Sequence, residues 1–563
     1  MVFQTPQGQY MAPHASNGFS ETDRGIRLRL RLYGACVSLA ALAVFSPAIR
    51  YGFVNLDDPV YVVRNEHIRS LDLNLIEWSF TTLTGGNWHP LTWLSLALDY
   101  AIWGLNPMGF HLHNILLHAA NVFLVMLLVF KVLVVYRDRH RITSSDDRRY
   151  ELAVAAATAV IFGLHPMRAE SVAWVAERKD VLCAFFFLLS LISYFSYATH
   201  QDGRRARRGY LLSLAAFSLS LMSKPMAVTL PAVLLLLDFL CLRRASLNDR
   251  TSTFRSVIGK VPFLALSSAA SLLAIVGQTS GGGMRTLDEH SIADRIINAA
   301  HSVWFYAYKT TLPLDLSPFY PIEGRDSLGS PAVIVSIIFV ISAAAVCRIS
   351  YKRGADSLTA IWLYYLVTVL PVAGLIQVGD TGAADRFTYL PSLSLNLLLG
   401  MGLIELLRNV LQDRPAAHGV LLPALLLPAV FLAPLTIRQT GLWRDDLSLA
   451  NRAVEAYPGK SPIPYLDRGF AWLDRNEFQN AVLDCGTALA MRPDCERCLF
   501  CRAEALEKMG DLAGALADYN SILRSNPVNA NALHNRGEIY VRLGDHGRAQ
   551  ADFRLRDMIE GGQ

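Results

Sequence analysis

Charge is scarce in this chain: 18% of its 563 residues are Asp, Glu, Lys or Arg, against about 25% in an ordinary soluble domain. Hydrophobic residues make up 52% and fall in long runs. A wholly soluble protein is excluded, and a membrane protein with a soluble tail is implied. A nucleotide loop is also missing. Gly281-Gly282-Gly283 has no Lys-Ser/Thr after it and closes no strand, so nothing supports chemistry driven by ATP or a nucleotide sugar. Met1 to Asp23 is polar, without an early apolar core or a small-residue cleavage site, and reads as a cytoplasmic tail rather than a signal peptide. The net charge of +5 sits in short loops between apolar runs, which excludes a nucleic-acid partner.

Apolar runs of about 20 residues predict membrane helices. They place about eleven spans near 32–49, 111–135, 151–165, 181–199, 210–223, 226–242, 261–277, 331–348, 358–377, 389–407 and 419–437. The 223–226 break is short enough for a re-entrant turn. One set of loops is Arg-rich: Arg137, Arg139, Arg141, Arg148 and Arg149; Arg204, Arg205, Arg207 and Arg208; Arg243, Arg244, Arg250 and Arg255; Arg348, Lys352 and Arg353. The positive-inside rule puts these in the cytoplasm. The loops 50–110, 165–180, 278–330 and 378–388 then lie on the non-cytoplasmic side, together with everything after the last span.

Beyond that last span the chain repeats at 34 residues. Gly469, Ala503 and Gly537 keep the spacing, as do Asn476, Gly510 and Gly544; Ala481, Ala515 and Ala549; Cys485, Tyr519 and Phe553; and Pro493 and Pro527. This is the tetratricopeptide (TPR) signature of stacked helical hairpins. The expected organisation is a tail over 1–31, a polytopic domain over 32–440, a connecting helix over 441–461 and three repeats over 462–495, 496–529 and 530–563. The fold class is all-α: a membrane helix bundle followed by an α-solenoid. The concave face of such an array suits an extended peptide, and a docking or spacer role fits equally.

The outer loops hold the residues with chemistry. Asp57 and Asp58 follow the first span, where ionisable groups point to function. Asp58 before Pro59 fits an N-cap with Pro at the first helical position. Asp57 lacks that role, and it is the expected general base. Cations recur at the outer boundary: Arg168, Arg178 and Lys179, Lys224 between two apolar runs, and Arg386. Lys224 requires an anion or a carboxylate nearby, and Asp385 is the expected partner of Arg386. His89, His165 and Glu170 complete the outer-loop candidates. Carboxylates for proton abstraction beside cations for a phosphate suit group transfer from a lipid phosphate.

Histidines and cysteines raise the question of metal. His111 and His113 fall on opposite sides of a helix, Asn114 stands one turn before His118, and no cysteine is close, so zinc spacing is absent. A divalent metal is compatible with the chemistry, but no ligand motif supports one, and no cofactor is implied. Cys485, Cys495, Cys498 and Cys501 crowd the repeats. Outside the cytoplasm a disulfide is their expected state. Cys485 with Cys501 fits adjacent repeats, Cys495 with Cys498 fits a small ring at a helix start, and zinc is the alternative. Cys36, Cys183, Cys241 and Cys347 lie in or beside spans and read as packing residues.

The acidic pair in Phe53 to Asn65, His89-Pro-Leu-Thr, Gly104-Leu-Asn-Pro through His118, Leu164-His-Pro to Asp180, Ser223-Lys-Pro and Asp385-Arg-Phe-Thr-Tyr-Leu-Pro391 resemble, in that order, the motifs of the transmembrane-and-TPR O-mannosyltransferase family. That family belongs to the GT-C class of membrane glycosyltransferases. The resemblance covers about residues 50–460, and the repeats extend it. It implies a GT-C fold, a polyprenyl-phosphate sugar donor (mannose in the best-known members), inverting transfer to Ser or Thr hydroxyls of a protein acceptor, and a base supplied by Asp57 and Asp58. Arg386, Lys224 and Arg168 are then expected at the donor phosphate. Lys224-Pro225 departs from the Lys-Glu of eukaryotic members, so a carboxylate is missing there. The short array implies a bacterial-type relative in an inner membrane. Two other readings compete. A non-enzymatic, membrane-anchored scaffold would need no outer-loop acid or cation cluster. A transporter would place ionisable residues in mid-span.

Overall fold

The computed structural model describes residues 21–140, 148–246, 248–322, 329–354, 356–410 and 418–561. Most of the predicted tail, and Arg141 of the first basic loop, lie outside them. Among the described residues the regular structure is helical, with three isolated β-bridges and no strand.

Among the described residues, seven helices are long and apolar enough to cross a membrane: Gly25–Arg50, Pro107–His140, Val175–Thr199, Val261–Ser280, Pro331–Lys352, Ser392–Val410 and Leu422–Arg444. An eighth candidate is bent by 55° between Arg149–Gly163 and Pro166–Ala173. Pro166 causes that break, because the residue before a proline is driven out of the helical region; His165 has ψ 130°. By length and apolarity alone, seven or eight of the described helices qualify as spans, against about eleven expected from the sequence. The other three predicted spans are also helices. Gly203–Ser223 opens with four arginines, and Pro225–Cys241 and Asp356–Val372 are short. Lys224 between the first two is extended, at φ −158° and ψ 133°.

Helix Arg149–Gly163 runs through the centre, and Glu151 to Gly163 are all buried. Its alanines let neighbours approach closely, as small residues do in membrane bundles. At Gly400 a Cβ would lie 2.5 Å from Thr158 Oγ1.

The two ends of the bundle differ. At one end the basic loops meet: the Arg243 guanidinium contacts His140 Nε2 at 3.1 Å and Asp356 Oδ2 at 3.3 Å. Close by, Asp238 accepts hydrogen bonds from Tyr194 Oη, Ser256 Oγ and the Lys260 ammonium. The opposite end carries the loops around Asp57, His165, Lys224 and Asp385, and the segment leading to the C-terminal hairpins packs there.

Three helical hairpins follow the connecting helix Asp446–Ala456. They pair Ile463–Asp474 with Phe478–Met491, Glu496–Met509 with Leu512–Ser525, and Ala530–Arg542 with His546–Gly561. The 34-residue glycines mark tight crossings: a Cβ on Gly537 would meet the Phe553 ring at 2.6 Å. Each hairpin is clamped by a two-point ion pair sixteen residues apart, Arg468–Asp484, Arg502–Asp518 and Arg536–Asp552. This pair also repeats at 34, a signal present in the sequence beside the small residues. The cysteines are joined as Cys485–Cys501, with Cα atoms 6.3 Å apart, and Cys495–Cys498, at 5.2 Å. Of the other four, Cys183 and Cys241 are buried, whereas Cys36 is exposed on its span and so does not pack as expected.

Candidate functional site

The chain leaves the first span and turns sharply at Asp57-Asp58-Pro59. Pro59 starts one wide helical turn, Pro59–Val63. The Asp57 carbonyl, not a side chain, accepts the first amides, from Val60 at 3.0 Å and Tyr61 at 2.9 Å. The expected Asp58 side-chain cap is not formed. Asp58 is turned inward instead, 1% exposed, and accepts N–H bonds from Val54 at 2.9 Å and Ala176 at 2.8 Å. Two bonds, one within the loop and one across to the next, satisfy both oxygens, which a cap on its own helix would not. Burial pushes the Asp58 carboxyl up to about 7, with the two amides opposing.

This latch leaves Asp57 outside. Its side chain is 46% exposed, and Oδ2 meets the Lys179 ammonium at 3.3 Å. Lys179 also lies over the Tyr61 ring, 4.5 Å from its centre.

Lys179 belongs to an ionic cluster built from four segments. Helix Ala169–Ala173 ends at Trp174, whose ψ of 121° redirects the chain. A short turn comes next, then helix Arg178–Thr199. Glu177 and Asp180, three apart, share one face of that helix start. Glu177 sits at the centre. Its carboxylate meets Lys179 at 3.2 Å, Lys224 at 3.1 Å and Arg386 Nε at 3.4 Å. Lys224 reaches Asp180 as well, and Asp180 accepts from Ser171 Oγ at 3.0 Å. Arg386 pairs with Glu170, which also accepts the Arg386 backbone N–H at 2.8 Å. Burial disfavours the charged Arg386 guanidinium, but the flanking acids, Glu170 first, outweigh it and hold the group above its ordinary value. The acids lie deepest, 2–3% exposed; Lys179, Lys224 and Arg386 are at 8%, 15% and 20%. Asp57 stands at the rim.

Several expectations are corrected here. Arg386 is not paired with Asp385. Asp385 accepts from Tyr320 Oη at 2.8 Å, and burial, with the charge of Glu170 beside it, raises its carboxyl well above the usual range. Arg168 is not brought to the cluster. It is buried, bonds Ser392 Oγ at 2.6 Å and lies between the Phe162 and Tyr389 rings. The apparent loss of a carboxylate after Lys224 is made good by Glu177 and Asp180 from another segment. Arg178 faces away from the cluster, ion-paired to Asp99 at 2.6 Å and bonded to Phe110 O at 2.8 Å. His165 caps Met167 N and contacts Thr310 O at 3.0 Å. His89 stacks on Tyr61 and lies tilted against Trp93, and burial holds it neutral, well below the usual imidazole value. His111, His113 and His118 diverge to Gly52 O, Asp99 and Tyr389 Oη. No group of three or more His, Cys, Asp or Glu among the described residues is placed to hold a metal ion. Glu177 and Asp180 are not among the site residues expected from sequence. The signal that marks them is charge: acids in 170–180 facing two cations, Lys224 and Arg386, in need of partners.

A polytopic helical bundle with a hairpin-repeat extension and a mixed-charge site beneath an accessible carboxylate is the class of protein defined here. No family model matches the chain. It is similar to protein O-mannosyl-transferase TMTC4 of Mus musculus, 26% identical over 476 residues that cover 76% of this chain and 62% of that protein. Protein O-mannosyl-transferase F38B6.6 of Caenorhabditis elegans is 22% identical over 463 residues, 78% of this chain and 60% of its own. Protein O-mannosyl-transferase TMTC1 of Homo sapiens is 23% identical over 479 residues, 77% and 50%. The chain is thus similar to protein O-mannosyl-transferases, in keeping with the family that its motifs resemble. It spans between half and about three fifths of their length.

Proposed function

We propose that this protein is a membrane glycosyltransferase that moves a sugar from a polyprenyl-phosphate donor to a Ser or Thr hydroxyl of a protein, on the non-cytoplasmic side. The names of its relatives favour mannose. The observation that carries the reading is the exposed Asp57 carboxylate at the rim of the cluster that holds Lys179, Lys224 and Arg386. An anchor or scaffold has no use for charges gathered at this cost of desolvation.

In this reading the acceptor oxygen attacks the anomeric carbon while its proton passes to Asp57. Oδ2 of Asp57 is held by Lys179, and Oδ1 bonds no other described residue. The bond between the anomeric carbon and the phosphate oxygen breaks, and its electron pair leaves with the polyprenyl phosphate. Lys179, Lys224 and Arg386 stabilise that developing charge, as preorganised cations do most effectively where water is excluded. Attack from the face opposite the phosphate inverts the anomeric centre.

The test offers the purified full chain a panel of polyprenyl-phosphate sugars with a Ser/Thr peptide and weighs the product. Transfer from at least one donor is expected. Arg386→Lys keeps the charge but loses the planar fork, and donor KM should rise about tenfold, the worth of one charge-assisted bond, while acceptor KM holds. No transfer from any donor would favour the scaffold instead.

A further inference from the structure

The segment that joins the bundle to the hairpins touches the site in three places. Asp446 Oδ1 accepts the backbone N–H of Asn55 at 2.6 Å, two residues before Asp57. Trp443, 2% exposed, stacks on Trp174 with ring centres 5.2 Å apart and planes at 20°. Trp174 lies in turn beneath the Lys179 ammonium and the Arg386 guanidinium, at 5.7 and 5.5 Å from its ring centre. Tyr457 packs edge-on against Tyr320 at 5.9 Å, and Tyr320 holds Asp385, next to Arg386. The contacts therefore reach the base loop and, through Trp174 and Tyr320, the surroundings of the cations. A plain tether between a bundle and a repeat array needs none of them.

We propose that residues 441–457 form a wall of the site, with Asp446 as a positioning residue for Asp57 and Trp443 as the support under the cation-bearing turn. The inference rests on the glycosyltransferase reading. Asp58 pins its loop from within, through Val54 and Ala176; Asp446 pins the same loop from the hairpin side. Asp57 is thus fixed at both margins, and the hairpins are held in one register to the base. A general base misplaced by about 1 Å loses on the order of a hundredfold in rate, so this support acts on turnover rather than on donor binding.

The test compares Asp446→Ala with Asp446→Asn in the full chain. Asn keeps an oxygen that can accept the Asn55 N–H; Ala does not. Hydrogen exchange of amides 53–58 is read beside kcat and donor KM. In Asp446→Ala, exchange at Asn55 should quicken and kcat should fall about tenfold or more with donor KM unchanged; Asp446→Asn should stay near wild type in both. Unchanged exchange in Asp446→Ala, or quickened exchange with full turnover, overturns the proposal. A donor KM that rises with no change in kcat overturns it too. If the unaltered protein transfers no sugar at all, the glycosyltransferase reading falls, and quickened exchange at Asn55 still upholds the contact.

Discussion

The turn at Pro59 separates two carboxylates that are neighbours in the chain. Asp57 meets solvent and Lys179; Asp58 meets two buried amides. Asp57→Asn should therefore lower turnover by roughly 10²–10⁴-fold, the usual contribution of a positioned base, and leave melting unchanged. Asp58→Asn can no longer accept both amides. It should lower the melting temperature, because a buried N–H left unbonded costs about 1–3 kcal/mol. Transfer assays and melting curves on the two variants check this, and the opposite pattern would exchange their roles. Asp58 also sets a pH dependence. Its folded value, raised to about 7 by burial, exceeds the roughly 3.9 of an unfolded aspartate. The folded state then binds the proton more tightly, so this stabilisation is complete below about pH 4 and is lost as pH rises through about 7. Melting followed from pH 5 to pH 8 should fall, and less steeply in Asp58→Asn.

The hairpins are held by a device that recurs with the repeat. Arg502 forms two bonds to Asp518, whose side chain is 6% exposed. Removing the arginine strands a nearly buried carboxylate between two helices. Arg502→Ala should destabilise the array by about 1–3 kcal/mol, read as faster proteolysis of residues 462–561 in the full chain. Arg548→Ala is the control. Its pair with Asp545 is 70% and 40% exposed, and such pairs are worth about 0–1 kcal/mol. Equal susceptibility of the two variants would mean that the clamp contributes nothing. The break at Pro166 and the extended Lys224 are of the same kind, local chain geometry with a distant effect: they free Glu170 and Lys224 to meet Arg386 and Glu177 rather than lie along regular helices.

Across the molecule, the basic loops gather at one end, and the site, the connecting segment and the hairpins gather at the other. The proposed orientation puts the first end, with its excess of Lys and Arg, in the cytoplasm. Cysteines introduced near 250 and near 515 should then differ when intact cells are treated with an impermeant maleimide: the second should react and the first should not. The same sidedness governs oxidation. Cys485–Cys501 and Cys495–Cys498 have Cα separations within the range a disulfide spans, and an oxidising compartment keeps such pairs joined. Peptide mapping without reduction should find no free thiol among the four. Labelling near 250 with four alkylated native thiols would reverse the orientation and remove the disulfides together.

Much of this architecture is written in periodicity and composition. Long apolar runs specify spans because lipid accepts no unpaired backbone, and a 34-residue period specifies hairpins because each must bury its face on the next. The Lys and Arg of loops and the acidic pair after the first span are legible for the same reason: they are local features with a local physical cost. Pairing is not legible in the same way. Arg386 follows Asp385 directly, yet it bonds Glu170, 216 positions away, because Asp385 turns to Tyr320. Lys224 finds its acids 44 and 47 positions earlier, and Asn55 finds Asp446 across 391. Which buried charge meets which is decided by the packing of the helices that carry them. A charge withdrawn from water is stabilised only by partners within a few ångströms, and only the folded chain supplies those distances.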